Sequence, residues 1–276
     1  MMHTRVPRHF WRATVILGLA LAMPLCGQVE TRLKPQTEQA YQQYLRAVEA
    51  QLAERWHAHS ARLEIEENAA DLSRVRGGED VIERAGEGTQ GPITEGQVHD
   101  WLGATWLPGA RLDGVLRAIG DADRLKDFHP EFLESRLVSR EGNISHSHWR
   151  VKRTKVITVV LDLDLTSEFL HFPNGLAVVR THTTRVSEVQ HPGTPQEKVL
   201  GQGEGNGFMW HLDAYWSLKQ EPNGVLAECR SVSLSRSIPR MLAWIIGPMV
   251  ESVPRESLRS TLTGTRQMVQ ADSVRN

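Results

Sequence analysis

The side chains best able to carry chemistry occur in pairs within runs of alternating apolar and polar residues. His146 and His148 are two residues apart, and so are Asp162 and Asp164. On a strand such pairs share a face at about 7 Å, a spacing that suits two zinc ligands or two catalytic carboxylates. Zinc needs a third ligand, and the histidines that could approach from neighbouring strands are His171, His182 and His211. We interpret both pairs as surface residues and predict no metal and no cofactor.

A second candidate set could supply general acid and base catalysis. His211, Asp213 and Glu228 lie on two predicted neighbouring strands, and such residues would serve an enzyme of the cyclase or hydratase kind. The predicted register turns all three away from the expected cavity, so we predict no catalytic residue, although the enzyme hypothesis stays open. The glycine-rich run from Gly201 to Gly207 lacks the Lys-Ser/Thr of a phosphate loop and leads into a strand.

A hairpin near the C-terminus organises these residues. Alternate residues are apolar from Phe208 to Leu218, a turn follows at Pro222-Asn223-Gly224, and a second strand runs from Val225 to Ser235. A loop of two or four residues places an aromatic strand face beside small residues, which predicts unfilled space above the sheet, whereas a three-residue loop would reverse the parity. The predicted lining of that cavity comprises Trp101, Trp149, Phe208, Trp210, Trp216, Leu218, Cys229, Ser231, Leu258 and Leu262.

The opposite face of the hairpin is expected to be wet. There Lys219, Glu228 and Arg230 are interpreted as surface charge pairs of little energetic weight. A helix begins behind Ser237, is interrupted at Gly247-Pro248 and restarts after residues 252–254, with Leu258, Leu262 and Val269 on one face. We expect this broken helix to cover the cavity, with Trp244 as a further candidate for its wall.

The N-terminal third differs in character from the rest of the chain. Residues 1–27 combine three arginines with an apolar run from Ala13 to Leu25, typical of a signal peptide, so we expect a secreted or periplasmic protein without a stable membrane span. Residues 28–94 are predicted to hold an amphipathic helix over 35–60, able to pack on the domain or bind a protein partner, and a linker. If the leader is cleaved beyond Cys26, Cys229 is the only thiol that remains.

The remaining chain, residues 95–270, is predicted to be one domain followed by a short tail over 271–276. A strand, two short helices, several antiparallel strands and a terminal helix indicate an α+β fold, a curved antiparallel sheet wrapped about the helix. The predicted central strands are Gln97–Trp106, Leu133–Glu141, Ile144–Arg153, Val156–Leu163, Thr166–Phe172 and Leu176–Glu188. A net charge of −1 gives no basic footprint for nucleic acid.

This order of elements resembles the helix-grip superfamily of START-like and polyketide-cyclase-like domains. The resemblance covers about residues 95–270 and is closest to an exported bacterial branch without assigned activity. It is carried by HDWLGATWLPGARLDGVL, FHPEFLESRLV, YWSLKQEPNGVLAE and SLSRSIPRMLAWIIGPMVESVPRESLRSTL. It implies a cavity between sheet and C-terminal helix that binds a hydrophobic small molecule or lipid, and it implies no fixed catalytic set. The alternatives are an enzyme that uses the same cavity and an interaction protein whose cavity is vestigial.

Overall fold

A computed structural model describes residues 31–86, 93–155, 157–237 and 243–275, without the side chains of 243–251 and 274–275. The predicted signal peptide and Cys26 lie outside the described residues, as does the side chain of Trp244. None of the helices in the described ranges is both long and apolar enough to span a membrane.

The described strands form one curved, open, antiparallel sheet. They are β1 (Val81–Arg84), β2 (Gly96–Pro108), β3 (Phe132–Glu141), β4 (Ile144–Thr154), β5 (Thr158–His171), β6 (Leu176–Gln190), β7 (Lys198–Val199), β8 (His211–Glu221) and β9 (Gly224–Arg236). Their order is β1-β2-β9-β8-β6-β5-β4-β3, with β7 beside β6. Two strands were predicted where the structure has the single strand β5. The strand continues because the chain has no turn residue there, and the irregularity is a register shift between Asp164 and Leu165 in the pairing with β6.

Helices cover both faces of this sheet. They are α1 (Pro35–Trp56), α2 (Ala69–Arg76), α3 (Leu112–Gly120), α4 (Leu125–Phe128) and α5 (Ala243–Arg275), with 3₁₀ turns at Glu64–Glu67 and Ala122–Arg124. The predicted interruption at Gly247-Pro248 is wrong, because α5 is helical throughout. A proline removes one helical hydrogen bond, and a helix can continue past that loss.

The register of the β8–β9 hairpin follows the prediction. Glu221 pairs with Gly224 across the two-residue loop, so Trp216 lies opposite Cys229 and Leu218 opposite Ala227. The aromatic side of β8 therefore shares the concave, α5-facing side of the sheet with small residues of β9.

The prediction that the other face is wet is wrong. Helix α1 lies across the convex face and buries Tyr41, Val48, Leu52 and Trp56 there, each at most 4% exposed. The stripe at helical spacing predicted the helix correctly, and its partner is the sheet of the same chain. The fold is thus a sheet between α1 on its convex side and α5 on its concave side.

Candidate functional site

Helix α5 is fixed to the arm of the sheet formed by β1 and β2. Leu258 and Leu262 pack so closely on β2 that a Cβ at Gly103 would lie 3.0 Å from both side chains. Arg266 binds Asp80 and Thr105 on the same arm. The small size of Gly103 therefore sets how near the helix comes to this strand.

The opposite arm, β3 and β4, holds the same helix through polar contacts. Lys155 Nζ lies 2.7 Å from Glu256 Oε2, and Arg153 Nη2 donates to Ser257 Oγ at 2.8 Å. Ser260 Oγ donates to the buried carboxylate of Glu131 at 2.9 Å, and Glu131 also accepts from Arg153 at 3.0 Å. Helix α5 thus bridges the two arms of the curved sheet.

A histidine fits against the helix between these arms. The ring of His129 occupies the space beside Gly264, where a Cβ would overlap the imidazole. His129 is 3% exposed, and burial lowers its pKa, so the ring is neutral near pH 7. We expect Gly264→Ala to destabilise the protein by about 1–3 kcal/mol through overpacking, despite the better helix propensity of alanine.

Chemical denaturation tests the destabilisation expected for Gly264→Ala, with Gly114→Ala as the matched control. A Cβ at Gly114 in α3 would have only the Arg117 side chain near it, at 3.8 Å. The control should be neutral or gain up to about 1 kcal/mol from helix propensity. Equal effects in the two variants would contradict the close contact of His129 with α5.

The backbone of α5 approaches the middle of the concave face less closely than it approaches β1 and β2. Within the described residues, the backbone of α5 runs close to β1, β2 and β9 and makes at most isolated approaches to β5, β6 and β8. Side chains on this stretch of floor keep partial exposure although they point into the fold, as Ala214, Ser231, Phe169 and Trp149 show. We call this set of partly exposed positions under the helix the central trough.

Eight of the ten predicted lining residues lie on the concave side. Trp216, Leu218, Cys229, Leu258 and Leu262 are buried in the cluster beneath α5, and Trp101 and Trp149 pack against that cluster. Ser231 pairs with both Trp101 and Ala214 and so shares their face. Burial raises the pKa of the Cys229 thiol, which leaves it an inert small hydrophobe.

The two remaining lining residues are elsewhere. Trp210 precedes β8 and packs in the cluster beneath α1, and Phe208 is 40% exposed. The strand alternation does not extend to them, because the preceding loop turns through positive φ at Gly203, Gly205 and Gly207.

The glycine-rich loop folds around a carboxylate. Glu188 accepts hydrogen bonds from the backbone N–H of Asn206 at 2.8 Å and of Phe208 at 2.9 Å. A Cβ at Gly205 would lie 2.5 Å from the same carboxylate, so glycine is required there. The loop provides a frame for Glu188 and shows no phosphate-binding geometry.

The paired histidines and aspartates form ladders on the convex face of β4–β6. His148 Nδ1 lies 2.8 Å from Asp164, which also accepts from Arg185 at 2.7 Å. Burial alone would raise the pKa of Asp164, but the hydrogen bonds from Arg185 and His148 hold it below its usual value. Asp162 is buried, contrary to the surface interpretation, in a two-pronged pair with Arg150 at 2.6 and 2.8 Å. In the described ranges no three potential ligands gather as a metal site.

The candidate acid and base residues lie beneath α1 and outside the central trough. Tyr41 Oη donates to Asp213 Oδ2 at 2.5 Å, and His182 Nδ1 lies 2.6 Å from Oδ1 of the same carboxylate. His211 Nε2 lies 2.6 Å from Glu38 of α1, an interaction that lowers the pKa of Glu38. These groups hold α1 to the sheet as a buried polar network.

Two of the three predicted surface charges near the turn, Glu228 and Arg230, are also buried. Glu228 and Arg230 are 3% and 4% exposed, and Lys219 pairs with Glu66 of the 3₁₀ turn at 2.7 Å. Arg230 makes two hydrogen bonds to Asp100, of 3.0 and 2.7 Å, and Tyr44 donates to the same carboxylate at 2.5 Å. The error has one cause, since α1 and the 3₁₀ turn that follows it cover residues that look solvated when β8 and β9 are considered alone.

Comparison with known proteins places the fold in context. No curated protein and no family model matches this chain. A fragment of the STAR-related lipid transfer protein of Xanthomonas axonopodis is 17% identical, with a TM-score of 0.46 over 66% of this chain and 97% of that one. The TTHA0849 protein of Thermus thermophilus is 18% identical, with a TM-score of 0.44 over 62% and 97%. The Zhui aromatase/cyclase of Streptomyces sp. R1128 is 9% identical, with a TM-score of 0.38 over 63% and 94%.

The chain has the helix-grip fold. Its own strand order and its closing helix carry that statement and confirm the predicted α+β fold class. The solved structures named above are at most 18% identical to this chain, so no residue role is transferred from them. Membership of an exported branch stays a prediction.

Proposed function

We propose that the protein binds a hydrophobic small molecule or lipid non-covalently in the central trough, and that it does so after export. The observation that carries the proposal is the position of α5, whose backbone, within the described residues, runs close to β1, β2 and β9 and makes at most isolated approaches to β5, β6 and β8. Partly exposed apolar side chains beneath a helix favour a binding site, because ligand burial removes their surface from water.

Substitution of Ala214 tests whether the trough is open. Ala214 lies in the middle of the floor and is partly exposed. We expect Ala214→Trp to fill the trough, to weaken binding of the neutral dye Nile red at least about tenfold, and to leave stability within about 1 kcal/mol. Dye fluorescence titration and chemical denaturation measure the two effects.

Ser139→Trp on the exposed outer strand β3 is the matched control and should change neither quantity. In a solid core the added indole of Ala214→Trp would cost about 1–3 kcal/mol or more. That result, or undiminished dye binding, would contradict the proposal. Native mass spectrometry of protein purified from its own host adds an independent test. A protein that carries no ligand and does not bind lipid probes would contradict the proposal.

Catalysis by His211, Asp213 or Glu228 in the same cavity is not favoured. The sheet separates all three from the trough, and α1 covers them. Partner docking through residues 35–60 would have to use the outer face of α1, because its apolar face is buried on the sheet.

A further inference from the structure

A cavity lies on the convex side of the sheet, on the far side from the central trough. Its volume is about 430 Å³, which is within the range of small-molecule sites. One wall comes from the last turns of α1, the other comes from residues 62–67, and the buried Arg230 of β9 forms its floor. We call this space the convex cavity.

The floor of the convex cavity keeps one hydrogen-bond donor in reserve. Nε and Nη2 of Arg230 donate to Asp100 at 3.0 and 2.7 Å. The remaining nitrogen, Nη1, forms no hydrogen bond with a described residue, and it is not sealed from solvent. Because Arg230 is only 4% exposed and lines the convex cavity, solvent reaches Nη1 through that cavity. A guanidinium N–H in this position suits a carboxylate oxygen.

The rim of the convex cavity carries two unpaired charges of opposite sign. Glu54 and Arg62 are exposed, and neither forms an ion pair or hydrogen bond with a described residue. The other rim charges are engaged, since Arg55 lies 2.6 Å from Glu67 and 3.7 Å from Glu64. The pKa of Glu67 is lowered mainly by its hydrogen bond with Arg55 and to a smaller extent by the charge of Arg62. Arg62 therefore adds positive potential to the cavity that Glu54 borders with a negative charge.

We infer that the convex cavity binds a small zwitterion of the α-amino acid class. Its carboxylate accepts hydrogen bonds from Nη1 of Arg230 and from Arg62, and its ammonium group pairs with Glu54. A molecule with only an anionic group is disfavoured, because Asp100 already neutralises Arg230 and Glu54 would repel the anion. A molecule with only a cationic group would leave Nη1 without an acceptor.

This site is independent of the proposed function. Helix α1, which lines the convex cavity, packs on the opposite side of the sheet from α5, which covers the central trough. Ligands of the two sites are therefore separated by the sheet, and each site can be tested without the other.

Three probes of matched shape test the inference on the full-length protein by isothermal titration calorimetry. L-Leucine carries both charged groups, 4-methylpentanoate lacks the ammonium group, and 3-methylbutylamine lacks the carboxylate. The aliphatic portion is chosen because Leu52 and Ala58 belong to the lining. We expect L-leucine to bind at least about tenfold more tightly than either of the other probes, because each of these loses a charge-assisted hydrogen bond.

Two substitutions at the rim assign the charged groups. Arg62→Gln should weaken L-leucine and 4-methylpentanoate roughly 5- to 20-fold and leave 3-methylbutylamine unchanged. Glu54→Gln should weaken L-leucine and 3-methylbutylamine by a similar factor and leave 4-methylpentanoate unchanged or tighter. Arg46→Gln, on the exposed face of α1, is the matched control and should alter none of the three. Thermal unfolding of each variant without ligand confirms that the fold is retained.

The outcomes separate this site from the central trough. Saturating L-leucine should leave the affinity for Nile red unchanged, and displacement of the dye would place L-leucine in the trough and overturn the inference. If L-leucine fails to bind, or binds no more tightly than the other probes, the inference fails and the proposed function is unaffected. If 4-methylpentanoate binds best, the zwitterion class is wrong. If Arg46→Gln weakens L-leucine as much as Arg62→Gln does, the ligand lies outside the convex cavity and the inference fails.

Discussion

Replacement of Glu228 by glutamine should raise the free energy of unfolding at pH 8 by roughly 2–4 kcal/mol. Glu228 is buried beneath the 3₁₀ turn Glu64–Glu67 that follows α1, and burial raises its pKa to about 8. It accepts a hydrogen bond from the backbone N–H of Ile65 at 3.3 Å, a weak compensation for an ionised carboxylate. Glutamine keeps the acceptor oxygen and has no charge to lose, so it removes the cost of keeping this side chain protonated.

The raised pKa of Glu228 also predicts how the free energy of unfolding changes with pH. A carboxyl whose pKa is raised in the native state holds its proton there while the unfolded chain has already released it. The stability that Glu228 contributes is therefore complete below pH 4.5, falls as pH rises and is lost above about pH 8. Urea denaturation of wild type and Glu228→Gln should give similar values at pH 4.5 and diverge steadily toward pH 8.

Glu134→Gln on the exposed strand β3 serves as the control, with a pH profile parallel to that of the wild type. A Glu228→Gln variant whose advantage is the same at both ends of this pH range would show that the carboxyl is hydrated. The covering position of the 3₁₀ turn Glu64–Glu67 would then be wrong.

Removal of the Arg230 charge should destabilise the protein by about 3–5 kcal/mol. The side chains of Arg230 and Asp100 are 5% and 0% exposed and are joined by two hydrogen bonds. Although burial alone would lower it, the hydrogen bonds to Asp100 raise the pKa of Arg230, so the guanidinium stays charged. Arg230→Met keeps the aliphatic stem and leaves the Asp100 carboxylate buried with only the hydroxyl of Tyr44.

A double-mutant cycle measured by chemical denaturation isolates this effect. Asp100→Leu/Arg230→Met should recover a large part of the loss, because an apolar pair of similar volume leaves no buried charge. Arg136→Met, which removes an exposed pair with Glu134 on β3, should stay close to wild type. Losses that simply add in the double variant would show that the two side chains are independent and solvated.

The concave side was predictable because the sequence patterns that specify it lie within single hairpins and helices. The parity of the β8–β9 hairpin depends only on a two-residue loop, and that loop fixed Trp216 opposite Cys229. The helical spacing of Leu258 and Leu262 likewise predicted the face that α5 turns to the sheet. Neither inference needed a contact with a distant part of the chain.

The convex side was not predictable from the same segments. Asp213 and Glu228 alternate with apolar residues and look solvated. Yet Tyr41 of α1 covers Asp213 and Ile65 of the 3₁₀ turn contacts Glu228, and both are far away in the sequence. A usable signal was present in α1, whose apolar stripe contains Tyr41 and Tyr44. Tyrosines on the apolar face of a helix need polar partners when buried, and this requirement matches a sheet face with carboxylates.

The positions of Trp210 and Phe208 show a different limit. Strand alternation was extended through them to the glycine-rich loop, but β8 begins at His211. Residues with positive φ at Gly203, Gly205 and Gly207 reset the direction of the side chains that follow. Strand boundaries next to glycine-rich loops are therefore the weakest part of a lining predicted by alternation.

The central claim is that the trough between α5 and the middle of the sheet is open and apolar at its borders. Crystallography of the protein under xenon pressure tests it most directly, because xenon occupies dry apolar cavities. We predict xenon density beside Trp216 and beside Trp149. A crystal structure in which side chains from the first half of α5 fill this space and no xenon binds would contradict the account.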